Sequence, residues 1–200
     1  MKNPIAIDIV FLLPKKVEEE AKRINKILVG TQKESEIDFT QSPAMPHISL
    51  AMGGILPEKI KQLTEHLMKF SAGKKSIEIT INSLITKGEE PETITSFQFE
   101  ENDKLNTFHT DLFNLVYPLM NEKVDGLSFL SDEISADSIN WVNQYFEKHS
   151  FDNFWPHITL GKGKYEHAFQ SLQFLASKFA ICKLDDYCTC KEIIWESNLH

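Results

Sequence analysis

The sequence predicts an α+β fold of two related lobes, built from antiparallel-rich sheets with helices outside them. Two observations carry this reading. Short apolar strands and amphipathic helices are mixed along the chain in the order β-α-β-α-β-β-α-α-β-α-β-β, with neighbouring strands placed to pair antiparallel. A five-residue pattern also occurs twice, as Pro46-His47-Ile48-Ser49-Leu50 and as Pro156-His157-Ile158-Thr159-Leu160.

Residues 5–13 are a bulky apolar run between Pro4 and Pro14 and predict a well-covered strand. From Lys15, the residues Val17, Ala21, Ile24 and Leu28 fall at helical spacing, and Gly30 suits a terminator. The polar stretch 31–45 is a loop that delivers the chain into the first motif. A helix from Pro57 to Phe70 places Ile60, Leu63, Leu67 and Phe70 on one side, with Pro at its first turn. Ser76 to Ile85 alternates as a half-buried strand, residues 87–91 read as a turn, and Thr93 to Phe99 returns beside it. Asn102 or Asp103 caps a helix over 103–120. A second helix runs from Asp137 to His149. After the second motif, Gly161 to Lys164 reads as a solvated turn and Tyr165 to Ser177 as a helix. Phe179 to Leu184 and Cys190 to Trp195 are closing strands.

The 200 residues, 42% of them hydrophobic and 25% charged, suffice for one bilobal domain over 1–200 with a real core. The net charge of −8 offers no general attraction to a nucleic-acid backbone, so long duplexes are not expected as partners. A small nucleotide or an RNA end fits better. Cys182, Cys188 and Cys190 are too few and too late for a disulfide framework and read as free thiols in a reducing compartment. No second Cys/His pair stands at finger spacing, so no structural metal is expected. The apolar run at the N-terminus is interrupted by Asp8, too short to span a bilayer and a poor signal peptide. A cytoplasmic, monomeric protein without membrane contact or cofactor is expected.

The repeated pattern carries the chemistry. In a strand, residues i and i+2 share a face. His47 and Ser49 therefore point one way and Ile48 and Leu50 the other, and the second copy sets His157 and Thr159 against Ile158 and Leu160. Two such strands facing each other bring together two imidazoles and two hydroxyls. An imidazole with an ordinary pKa of about 6.5 can give or take a proton near neutrality. Hydroxyls can donate to the non-bridging oxygens of a phosphate, where charge builds up.

These paired His-x-(Ser/Thr)-x strands, half a chain apart, resemble the 2H phosphoesterase superfamily, and within it the LigT-like 2′-5′ RNA ligase and cyclic phosphodiesterase group. His47-Ile48-Ser49-Leu50 matches the first motif of that family and His157-Ile158-Thr159-Leu160 the second. The prolines before each His and the Phe154-Trp155 lead-in add to the likeness. The resemblance implies a LigT-like fold around a central cleft and metal-independent hydrolysis of 2′,3′-cyclic phosphates or 2′-linked phosphodiesters. It also implies that His47 donates and His157 accepts the proton.

Around this pair, Ser49, Thr159, Phe154, Trp155 and Lys162 are candidate substrate contacts. Phe154 and Trp155 can stack a base or pack in the core. Lys162 can meet a phosphate, although Gly161-Lys162-Gly163-Lys164 lacks the spacing of a P-loop. His66, His109, His149, His167 and His200 have no matching motif and read as surface or helix-face residues. Metal-assisted hydrolysis wants carboxylates or a third His within the motif, and neither copy has one. The alternatives are hydrolysis of small cyclic nucleotides or cyclic oligonucleotides and, in another class, non-catalytic binding of a nucleotide or RNA end.

Overall fold

The computed structural model describes residues 3–31, 37–89 and 93–200. Among them are β1 (Ile5–Leu12), β2 (His47–Ile55), β3 (Ile77–Lys87), β4 (Ile94–Phe99), β5 (His157–Lys162), β6 (Leu172–Ala176), β7 (Lys178–Leu184) and β8 (Cys190–Asn198). They form two four-stranded antiparallel sheets, in the orders β2-β1-β7-β8 and β5-β4-β3-β6. Each motif strand is an edge strand of its own sheet, and the two edges lie against each other. The α+β arrangement of two antiparallel sheets with helices outside them, expected from the sequence, is the one observed.

The helices are α1 (Lys15–Gly30), α2 (Ile60–Ala72), α3 (Asp103–Val116) and α4 (Ala136–His149). Two of them cross between the sheets. The first leaves β1 and packs on β5 of the other sheet; α3 leaves β4 and packs on β2, beside α4. Asn102 caps α3 by accepting from the Leu105 amide at 3.0 Å. Ser135 caps α4, and Asp186 accepts from the Ser135 and Ser138 hydroxyls, each at 2.6 Å, tying that helix start to the loop before β8. The apolar faces meet in one core, where the ring of Phe108 lies 5.0 Å from that of Phe11 and 6.3 Å from that of Phe179. Burial of each such ring stabilises by roughly 1.5–3 kcal/mol.

Both motif strands carry a bulge at the last residue of the pentapeptide. Ser49 pairs with Val10 and Ala51 with Ile9, leaving Leu50 over. Thr159 pairs with Ser96 and Gly161 with Thr95, leaving Leu160 over. A bulge frees a backbone group from the ladder, and a buried one needs another partner. A helix from the opposite half supplies it each time. His109 of α3 bonds the Leu50 carbonyl through Nδ1 at 2.7 Å, and Asn25 of α1 donates to the Leu160 carbonyl at 2.8 Å.

Both residues are fully buried, and each also holds the loop that leads into the other motif. The Phe151 amide donates to His109 Nε2 at 2.9 Å. Asn25 donates to the Ile37 carbonyl at 2.7 Å and accepts from the Phe39 amide at 2.9 Å. The two motifs are thus braced reciprocally. Gly161 follows the second bulge with φ 145°, and a Cβ there would come within 3.1 Å of Asn25 Nδ2.

Three expectations are corrected. The helix expected over 165–177 is absent; Leu172–Ala176 is β6, paired along the free edge of β3 with Leu172 opposite Ile81 and Ala176 opposite Ile77. The open backbone of that edge, with Phe174 and Ala176 buried on alternate positions, decides for strand. Lys162 is no turn residue but the buried end of β5. His109, expected as a surface or helix-face residue, lies on α3 but is fully buried there and braces the core. Of the expected turn at 87–91, Lys87 belongs to β3, and residues 90 and 91 lie outside the described residues.

Candidate active site

The alternation within each pentapeptide holds: Ile48, Leu50, Ile158 and Leu160 are buried without exposure, while His47, Ser49, His157 and Thr159 are half-buried on the other face. The edge-to-edge approach of β2 and β5 brings the faces together closely enough that the charge of His47 disfavours protonation of His157.

The two rings are anchored alike. His47 Nδ1 lies 2.8 Å from the carbonyl of Met45, and His157 Nδ1 lies 3.0 Å from the carbonyl of Trp155. Each acceptor is two residues upstream in the chain. A carbonyl can only accept, so Nδ1 carries the hydrogen and Nε2 is left for chemistry. Burial lowers both pKa values. That of His157 falls to about 4, through burial first, then the nearby positive charges of His47, Lys87 and His149.

Their surroundings differ. The Asp8 carboxyl of β1 reaches to 3.7 Å from His47 Nε2, is fully buried, and has no hydrogen-bond partner at either oxygen. Ser49 and the Leu50 and Ala51 amides are near enough to draw its pKa down somewhat without meeting hydrogen-bond geometry, but burial dominates and holds it well above the usual carboxylate range. His157 instead stacks on Trp155, with ring centroids 4.2 Å apart.

The remaining candidates divide. Trp155 has the Lys87 ammonium 3.3 Å from its ring centroid as well as His157 stacked on it. The two cannot share one face at those distances, so Trp155 lies between His157 and Lys87. Phe154 stacks on His109 at 3.8 Å with parallel rings, which makes it packing for the brace. The Leu160 bulge resets the alternation, and Lys162, opposite Ile94, returns to the face of Thr159. Its ammonium lies 4.9 Å from the Tyr187 ring centroid.

Reading the sequence alone missed Asp8, Lys87, Asn25 and His109. A charge inside an apolar strand signals the first. Asn25 and His109 each stand four residues after one stripe residue and three before the next (Ala21 and Leu28; Leu105 and Leu112), where an apolar side chain is due. No comparable signal marks Lys87.

No family model and no curated relative matches the chain. Solved structures do. TT0787 of Thermus thermophilus aligns over 98% of both chains with a TM-score of 0.65 and 13% identity. E. coli LigT complexed with ATP aligns over 98% of this chain and 99% of its own, with a TM-score of 0.60 and 12% identity. The same protein complexed with 3′-AMP aligns over 99% of both, with a TM-score of 0.55 and 13% identity. Across nearly the whole chain, then, this protein has the LigT fold, reached with a sequence that shares about one residue in eight.

Proposed function

We propose that this chain is a 2H phosphoesterase acting as one unit over residues 1–200, which hydrolyses 2′,3′-cyclic phosphates or 2′-linked phosphodiesters of nucleotides or RNA ends. The observation that carries this reading is the matched anchoring of His47 and His157, which leaves two Nε2 atoms on facing strands. Water attacks phosphorus and gives its proton to His157 Nε2. The bond from phosphorus to the leaving ribose oxygen breaks, and that oxygen takes a proton from His47 Nε2, leaving a phosphomonoester and a free hydroxyl. The depressed pKa of His157 suits it to begin as the neutral base; burial lowers the pKa of His47 as well, so His47 has to take up a proton before it can serve as the donor. Ser49 and Thr159 donate to the non-bridging oxygens. Lys87 and Lys162 add positive charge.

Nucleotide-sized substrates agree with the LigT complexes with ATP, NADP+ and 3′-AMP. Among the described residues no helix is long and apolar enough to cross a membrane; the proposed enzyme acts as a cytoplasmic monomer. The test is turnover of 2′,3′-cyclic mononucleotides by protein treated with EDTA, with a bell-shaped pH profile. His47→Ala and His157→Ala should each lower turnover by about 10²–10⁴ while ligand affinity stays within a few-fold. Binding without turnover in the unmodified protein would favour a nucleotide-binding role. Turnover untouched by both substitutions would falsify the assignment of the two residues.

A further inference from the structure

We propose that Asp8, His47 and Cys190 form a binding site for a thiophilic divalent cation, zinc by its donor set, at the back of the two-histidine site. One donor atom from each residue lies within 4.8 Å of the others, and among the described residues this is the set of three such groups that converges. The donors come from β1, β2 and β8 of a single sheet, so the backbone holds them in fixed relation. Met45 clamps two of them: its amide donates to the Cys190 carbonyl at 2.9 Å, and its carbonyl holds His47 Nδ1 at 2.8 Å. A metal-binding imidazole commonly has its second nitrogen tied in this way.

The independent sign of a ligand is Asp8. Its carboxyl is buried without exposure and neither oxygen has a partner, a costly arrangement that a bound cation would relieve. Bonds of about 2.0–2.3 Å set tetrahedral zinc ligands roughly 3.5 Å apart. His47 Nε2 and Asp8 Oδ2, at 3.7 Å, already fit, and the Cys190 thiol has to draw in by about 1 Å at most. One nitrogen, one oxygen and one sulfur suit zinc; calcium and magnesium want oxygen alone. On binding, the Cys190 thiol and the Asp8 carboxyl release their protons to solvent. Three protein donors leave the fourth place for water.

A bound ion occupies the Nε2 lone pair of His47. If that nitrogen moves the proton in turnover, as proposed above, zinc is an inhibitor. This consequence rests on that reading; the site itself does not.

The experiment titrates reduced, EDTA-treated full-length protein with Co²⁺ and then Zn²⁺. Cobalt should bind one to one with visible d–d bands and a near-ultraviolet thiolate charge-transfer band, and zinc should displace it. C190S should lose the charge-transfer band, and D8N should bind at least about tenfold more weakly. Absence of cobalt bands in excess metal, or a charge-transfer band that survives in C190S, overturns the site. Zinc-edge X-ray absorption of the unmodified protein serves if a variant does not fold: a mixed sulfur and nitrogen/oxygen shell supports the site, and a shell without sulfur overturns it. Saturating zinc should also cut cyclic-phosphate turnover by roughly 10²-fold or more, reversed by EDTA. Binding with unchanged or raised turnover keeps the site and overturns the inhibition. A protein without turnover defeats the proposed function and leaves the cobalt result to decide the site.

Discussion

Acidification from pH 7 to pH 4 should destabilise this protein through His109. The ring is buried, donates from Nδ1 to the Leu50 carbonyl and accepts the Phe151 amide at Nε2. Protonating Nε2 would set two hydrogens against each other and destroy the second bond. Burial accordingly lowers the pKa to about 4, with the Leu50 bond opposing only in part. The unfolded chain takes up its proton near 6.5 and the folded one near 4, so the contribution is whole above 6.5 and is lost as pH falls through 4. At about 1.4 kcal/mol per pH unit, that difference is worth about 3 kcal/mol. His157 and several low-pKa carboxylates, Asp185 and Asp186 among them, lose stability in acid as well, so a comparison isolates the effect. His109→Gln offers a donor and an acceptor over a similar reach without titrating. Urea unfolding between pH 7.5 and pH 4 should show the unmodified protein losing about 3 kcal/mol more than His109→Gln. Equal pH dependence of the two, or a more acid-labile variant, would refute the reasoning.

Asn25→Ala removes the hydrogen bonds to the Leu160 and Ile37 carbonyls and from the Phe39 amide, and at about 1–3 kcal/mol for each should cost about 3–9 kcal/mol in chemical unfolding. Gly161→Ala should cost about 1–3 kcal/mol, because its φ of 145° is strained for alanine and the new Cβ crowds Asn25. Trp155→Ala removes the surface on which His157 is stacked, so in steady-state kinetics the fall should appear in kcat with KM little changed; a rise in KM alone would mean that Trp155 serves the substrate.

The pentapeptides were legible because a strand has period two, and five residues suffice to sort His47 and Ser49 from Ile48 and Leu50. The strands and helices up to α4 were legible for a like reason, their apolar periods being long enough to survive the interruptions at Asp8, Asn25 and His109. The bulges at Leu50 and Leu160 were not, since a bulge is set by pairing with a strand distant in sequence. For the same reason β6 was read as a helix: the five residues Leu172–Ala176 hold too few periods to decide, and the edge of β3 decided for them. Asn25 and His109 were visible as letters but not as braces, because their partners lie 135 and 59 residues away. Asp8 looked like an interruption of an apolar run, and only the arrival of β2 and β8 gives it company.

The crossing of α1 and α3 makes the two halves hostage to each other. A chain severed between α2 and β3 would yield two pieces, each holding one histidine strand and the strut for the other's. Neither piece alone could do half the job, and mixing them should restore the whole. Loosening either strut disturbs both histidine strands together, so harm to this protein should sort molecules into working and idle ones and not slow them all alike.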